Sequence, residues 1–115
     1  MLEQKLSALE LANFVRVEIA WVKRELAQLT PSSGCDAAAE HLDELDGPLG
    51  SCRVIQFLTA IRGVGPSKAS ALCRKSDVLK SRRLRELSPR QVEALRHELL
   101  VQANRFEKSR KDRRR

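Results

Sequence analysis

Two short stretches hold residue types that can do chemistry on a charged ligand. In Arg62-Gly63-Val64-Gly65-Pro66-Ser67-Lys68-Ala69, two glycines flank one apolar residue between an apolar helix end and a new helix start. Glycines permit a sharp turn and let a ligand approach the backbone without a Cβ clash. The N–H groups opening the next helix point outward with the positive end of its dipole, so the ligand such a turn accepts is a phosphate. Lys68, one turn into that helix, adds a charge-assisted contact, and Ala69 is small enough for two helices to cross closely. Pro66 has no N–H, so only its neighbours donate. A Gly-x-Gly turn also serves as a plain change of direction between helices; what adds weight here is the charge around it. A dinucleotide-binding loop would need a preceding strand and the wider Gly-x-Gly-x-x-Gly spacing, and the sequence has neither.

The second stretch is Ser81-Arg82-Arg83-Leu84-Arg85-Glu86-Leu87, where Arg82, Arg83 and Arg85 fan around Leu84 on a short helical turn. Three guanidinium groups so placed span neighbouring phosphates or enter a minor groove; the alternative is a basic surface with no specific ligand. From Lys108 to Arg115 six of eight residues are basic and no apolar anchor follows Phe106, which reads as a flexible tail adding salt-sensitive affinity. Residues 1–50 carry 4 basic and 9 acidic side chains, whereas residues 51–115 carry 18 and 6, so the halves have net charges of −5 and +12. Anion binding therefore belongs to the second half. The acidic half reads as a solvated helix face, a partner surface, or a strip that repels nucleic acid and so fixes which face docks.

No constellation for catalysis emerges, and none that would hold a metal or cofactor. His41 and His97 lie in different segments without a motif partner and read as ordinary surface or core histidines. Cys35, Cys52 and Cys73 are odd in number and not closely paired, which argues against a disulfide framework and against zinc. Cys52 and Cys73 read as small core residues, and Cys35 as an inert thiol in a loop. Tyr is absent and aromatic residues make up 3% of the chain, so the platforms on which single strands stack are missing. Trp21 reads as a packing anchor rather than a wedge. No apolar run reaches the ~18 residues of a membrane span, and Met1-Leu2-Glu3-Gln4-Lys5 is no signal peptide. The expectation is a soluble, cytoplasmic, non-enzymatic binding protein.

These residues need elements to position them, and 115 residues with 42% hydrophobic content suffice for one modest core. Leu2 to Leu29 contains neither Pro nor Gly and repeats Leu11, Val15, Ile19, Val22, Leu26 and Leu29 at helical spacing, predicting one long amphipathic helix. Thr30-Pro31-Ser32-Ser33-Gly34 reads as the break after it. A second helix is expected over Asp36–Leu45. A third is expected over Cys52–Ile61 with Ser51 as N-cap, and a fourth from Pro66 to about Ser76 with Ala69, Leu72 and Cys73 inward. One or two turns anchored by Leu84 and Leu87 follow. Ser88-Pro89-Arg90-Gln91 resembles a capping box opening a last helix striped with Val92, Leu95, Leu99, Ala103 and Phe106. No segment alternates with period two, so an all-α fold without a sheet is expected. The organisation read from this is a long helix over 1–30, a binding body over 31–107 and a basic flexible tail over 108–115.

The order of these parts, a long first helix, then Ile61-Arg62-Gly63-Val64-Gly65-Pro66-Ser67-Lys68-Ala69, then Ser81 to Gln91, resembles the actinobacterial integration host factor family. The likeness is good from about Ser51 to Leu99 and general in helix character and break positions over Phe14–Gly50. It implies a helix-two-turns-helix fold with a helix-hairpin-helix-like turn, a fold also found in a small-subunit ribosomal protein and in some DNA glycosylases. It further implies a small nucleoid-associated protein that binds duplex DNA with little sequence preference, bends or compacts it, and assists phage site-specific recombination beside an integrase or another recombination protein. By position, Gly63, Val64, Gly65 and Lys68 match the family's phosphate-binding turn, with Arg62 and Ser67 adjoining it, and Arg82, Arg83 and Arg85 match its Arg-Arg-x-Arg cluster. The sequence departs from the family at Pro66-Ser67 and in a tail that runs past the family's usual end. A monomer is expected. Two rival readings stand beside this one: an RNA- or ribosome-associated protein of the same fold, and a protein-interaction module acting through the acidic first helix.

Overall fold

The computed structural model describes residues 7–113, with side chains described through residue 110. Five α-helices follow one another: α1 (Ala8–Gln28), α2 (Pro31–His41), α3 (Val54–Thr59), α4 (Pro66–Lys75) and α5 (Pro89–Arg113). Short 3-10 turns lie at Pro48–Ser51 and Leu84–Glu86. Among the described residues the only β feature is one isolated antiparallel bridge between Arg53 and Arg83, so the fold is all-α as expected.

The helix ends show where side-chain caps override sequence punctuation. The expected start of the first helix at Leu2 lies outside the described residues. Within them α1 begins after Ser7, whose Oγ accepts the Glu10 N–H at 3.1 Å. The expected break at Thr30–Gly34 is corrected: Thr30 is the N-cap of α2, its Oγ1 accepting the Ser33 N–H at 3.2 Å, and Pro31 is the first helical residue. Proline is tolerated there because its missing N–H would have had no intrahelical acceptor. α2 thus begins five residues earlier than expected and ends at His41 rather than Leu45. α3 also corrects expectation. Ser51 belongs to a 3-10 turn, Arg53 is the N-cap, and the N–H groups of Val54 and Ile55 donate to the carbonyls of Arg82 and Lys80 at 2.9 and 3.2 Å. The start of α3 is closed by distant backbone that local sequence does not reveal. The capping box of α5 forms as expected, with Ser88 N–H to Gln91 Oε1 at 2.9 Å and Gln91 N–H to Ser88 Oγ at 3.2 Å. α5 then continues to Arg113, past residue 108 where the tail was expected to begin; residues 114–115 lie outside the described residues.

The core forms where α2 lies along α5, with α3 and α4 closing one end. Phe57, Leu58 and Ile61 of the α3 region meet Leu95, Leu99 and Ala103 of α5, all but inaccessible to water. The Ser32 hydroxyl donates to the Ala103 carbonyl at 3.0 Å and fixes the α2–α5 register. Leu84 and Leu87 are buried, anchoring the second 3-10 turn as expected. Cys52 and Cys73 are core residues, but Cys35 corrects its expectation: it lies within α2, fully buried, because α2 starts early enough to include it. Burial pushes its thiol pKa up to about 11, with Asp36 adding to the shift.

α1 engages the body only through its second half. Val22 and Leu26 are buried and Ile19 is partly so, against the Pro48–Ser51 turn and α2, whereas Leu11 is exposed. Trp21 is 60% exposed, which overturns its reading as a packing anchor. Phe14, Val17 and Trp21 share a helix face turned away from the Val22–Leu26 stripe, and all three are open to solvent. The radius of gyration is 15.7 Å, above the ~13 Å of a compact domain this long. The outer turns of α1 and α5 extend beyond the core.

Candidate functional site

The Gly-x-Gly turn links α3 to α4. After Ala60 caps α3, Ile61 and Val64 are buried, and the Val64 N–H donates to the Ile61 carbonyl at 3.0 Å. Val64 therefore anchors the turn from inside, while Arg62, Gly63, Gly65, Ser67 and Lys68 lie on its exposed side. Gly63 has φ +86°, a conformation costly for any side chain, and a Cβ there would stand 3.1 Å from Pro31 Cγ. At Gly65 the space is open, with nothing within 4 Å of where a Cβ would be. Gly65 is also the N-cap of α4 and offers no side-chain cap. The first intrahelical bond runs from the Ala69 N–H to the Gly65 carbonyl, which leaves the Ser67 and Lys68 N–H groups without an intrahelical acceptor. The turn thus aims two free donors and a helix dipole at open space. Lys68 stands beside them. Its Nζ lies 3.4 Å from the Gly63 carbonyl and 4.6 Å from the centroid of the Phe106 ring, so α5 helps to hold the ammonium at the turn.

The arginine cluster lies at the opposite end of α3, a helix about 9 Å long by the rise of its six residues. Its expected fan is not a helix face. Arg82 lies in a bend and Arg83 in extended backbone ahead of the 3-10 turn, with only Arg85 inside it. The segment is tied to α3 by the Arg53–Arg83 bridge, in which the Leu84 N–H donates to the Cys52 carbonyl at 2.9 Å. Arg83 Nη1 donates to the Ser51 carbonyl at 3.3 Å and Arg85 Nη2 to Ser51 Oγ at 2.6 Å. Arg82 Nη1 is 3.6 Å from Glu86 Oε2, and Glu86 also accepts the Arg83 N–H at 2.8 Å. That backbone N–H, with the charges of Arg82 and Arg83, holds the Glu86 carboxyl below its ordinary pKa. Glu86 therefore stays ionised and keeps the segment in shape.

The fold also recruits cations that the motifs did not indicate. Arg53 joins the cluster, its Nη1 donating to the Ser81 carbonyl at 2.7 Å. Arg105 and Arg110, far along the chain in sequence, line a cleft between the turn and α5 together with Arg62 and Lys68. Arg105 sits two positions from Ala103 on the expected stripe, so helical phase alone placed it off the core; nothing in the sequence placed it beside Lys68. His41 lies between Glu25 and Glu44 at 3.5 and 3.4 Å, a structural tie between α1 and the end of α2. Among the described residues no group of His, Cys, Asp and Glu could hold a metal ion, and no helix is long and apolar enough to cross a membrane.

α3 thus buries its apolar face, with the glycine turn at one end and the bridged arginine segment at the other. The S13-like H2TH domain family matches residues 39–99, just over half of the chain. The chain belongs to the S13-like H2TH domain family. The matched H2TH span takes in α3, the glycine turn, α4, the arginine segment and α5 as far as Leu99. Among solved structures the chain is similar to sIHF bound to an 8bp palindromic DNA, at 29% identity with a TM-score of 0.60, over 78% of this chain and 98% of that one. The resemblance to the integration host factor family and the helix-two-turns-helix fold it implied therefore hold. A comparison with curated proteins gives no match. Both basic stretches fall inside the H2TH span, and Arg105 and Arg110 fall after it.

Proposed function

We propose that this H2TH protein binds duplex DNA through its phosphate backbone with little sequence preference, and that it bends or compacts the DNA as a nucleoid-associated protein. The observation that carries this reading is the structural likeness to sIHF bound to DNA, at 29% identity over nearly all of that chain. The charge asymmetry supports it, since the +12 half supplies both the turn and the arginine segment. In this reading Gly63 and Val64 shape the turn, and Gly65, Ser67, Lys68 and Arg62 meet phosphates. Arg82, Arg83 and Arg85 meet a second stretch of backbone at the other end of α3. Phosphate contacts fix position without reading sequence, so specificity is low and deformable sites are mildly favoured. The protein binds as a monomer on the nucleoid, without cofactor or catalysis, and assists phage site-specific recombination. In this division of the chain α1 is the flanking helix, 31–107 the binding body and the remainder a basic extension.

The test is fluorescence anisotropy with random duplex DNA over a salt series, with duplex RNA as competitor. Contacts to roughly four to eight phosphates, at ~0.9 per phosphate in the log-log slope, are expected, with poor competition by RNA. Absence of binding near physiological salt sinks the reading, and RNA that competes as well as DNA favours an RNA-associated role.

A second reading rests on a different observation. Phe14, Val17 and Trp21 expose an apolar face of α1 turned away from the stripe that meets the body, the kind of patch that marks a protein partner. An integrase or another recombination protein seated on α1 would give the acidic half a role beside DNA. Trp21→Ala tested in a recombination assay and in DNA binding separates the two: loss of recombination with DNA affinity intact supports the partner.

A further inference from the structure

Half of the arginines with described side chains pair with an acid or reach a backbone or hydroxyl oxygen, and the unpaired ones matter where they converge. Arg82 pairs with Glu86 and Arg96 with Asp43, and Arg53, Arg83 and Arg85 reach backbone or hydroxyl oxygens. In the cleft between the glycine turn and α5, by contrast, Arg62, Lys68, Arg105 and Arg110 stand around a space of about 1000 Å³. Among the described residues Arg62 and Arg105 have no acidic partner within 4 Å, and Lys68 touches only the Gly63 carbonyl and the Phe106 ring. Arg110 is 3.9 Å from Glu107, the only acid among the described residues that line the cleft. Four cations converging from a turn and a helix, against one carboxylate, repel one another unless an anion lies between them.

We propose that this cleft seats one sugar–phosphate strand of the duplex, with Arg105 and Arg110 of α5 as the wall opposite Arg62 and Lys68. The proposal rests on the DNA-binding reading above and adds to it a second wall outside the span matched by the family. The concave shape favours a strand over a flat duplex face, because a phosphate run entering it meets donors on both sides. The lining favours backbone over bases. Phe106 is its only aromatic residue, and Lys68 already lies over that ring, so no free platform remains for stacking. The guanidinium groups of Arg105 and Arg110 each suit a phosphate oxygen pair, and Arg62 and Lys68 meet the same strand from the turn. Glu107 opposes the ligand and weakens the grip, which gives the proposal a signature of definite sign.

The experiment is a salt series of anisotropy with the full chain and one random duplex, comparing wild type, Arg105→Ala/Arg110→Ala, Glu107→Gln and Arg16→Ala/Arg24→Ala. The last pair removes the same charge from α1, away from the cleft. Both cleft arginines are exposed, so unchanged thermal unfolding certifies the fold of each variant. The expected result is a log-log slope smaller by about two for the cleft pair, from ~0.9 per phosphate contact, with the α1 pair at the wild-type slope. Glu107→Gln is expected to bind several-fold more tightly. A wild-type slope in the cleft pair, or an equal loss in the α1 pair, overturns the cleft while leaving DNA binding in place. Wild-type protein that does not bind the duplex at all overturns the DNA reading itself and the cleft with it.

Discussion

Gly63 and Gly65 are the same residue type two positions apart, and the fold uses them for different purposes. Gly63 supplies a positive φ in a turn wedged against Pro31, whereas Gly65 keeps the approach to the start of α4 open. Gly63→Ala is expected to cost about 1–2 kcal/mol for the left-handed backbone alone, lowering Tm by several degrees. Gly65→Ala is expected to keep Tm nearly unchanged, since its φ of −86° suits any residue, and yet to weaken DNA binding. Thermal unfolding and anisotropy of the two variants check this, and equal Tm losses would contradict it. The buried thiols make a second residue-scale prediction. Cys35 holds its proton in the fold to about pH 11, against an ordinary value of 9.0, and Cys52 and Cys73 are shifted in the same direction by burial. The unfolded chain loses these protons first, so folding stability is full below about pH 9 and falls as pH rises toward 11. Urea unfolding at pH 8 and pH 10.5 measures it; the Cys35→Ser variant should show a shallower fall.

At the scale of elements, two helices begin with the same device. Thr30-Pro31 opens α2 and Ser88-Pro89 opens α5, each with a hydroxyl accepting an N–H three residues on. Replacing either cap by Ala is expected to cost about 1 kcal/mol. Thr30→Ala should also loosen the glycine turn, because Pro31 is what Gly63 packs against. A denaturation series on Thr30→Ala and Ser88→Ala would show similar stability losses, with weaker DNA binding in the first variant alone. The device was legible at Ser88 because Gln91 completes the box and an apolar stripe follows. It was misread at Thr30, where Gly34 looked like a loop residue. Gly34 in fact lies inside α2, facing Ile61 across a close helix contact. α3 carries a lesson of another kind: its start is closed by the carbonyls of Lys80 and Arg82, so the arginine segment is a structural cap as well as a charged surface.

For the molecule as a whole, the two basic stretches bracket α3 while the acidic helix stands to one side. If the arginine segment contacts only phosphates, the Arg82→Ala/Arg83→Ala variant should weaken binding to every duplex by the same factor. Kd values over a panel of unrelated sequences test this; a loss confined to one sequence would show base readout in place of backbone contact. The variant should fold normally, because the bridge that ties this segment to α3 uses backbone atoms. The exposed Phe14, Val17 and Trp21 belong to this scale too. One apolar stripe of α1 is consumed by the body, and among the described residues nothing covers the second.

The sequence by itself determined what depends on local spacing and composition. The all-α class, α4, the box that opens α5, the glycine turn and the arginine segment all follow from helical periodicity, Pro and Gly placement and clustered charge. Cys73, Leu84 and Leu99 were legible as core for the same reason. What only the tertiary structure decided are relations between residues far apart in the chain. The burial of Cys35, the exposure of Trp21, the capping of α3 by residues 80–82 and the meeting of Arg105 with Lys68 depend on which helix faces which. Periodicity says that a helix has an apolar side, but not which of two apolar sides finds a partner. That choice is made by packing, where α5 claims α2 and brings its own cations to the turn.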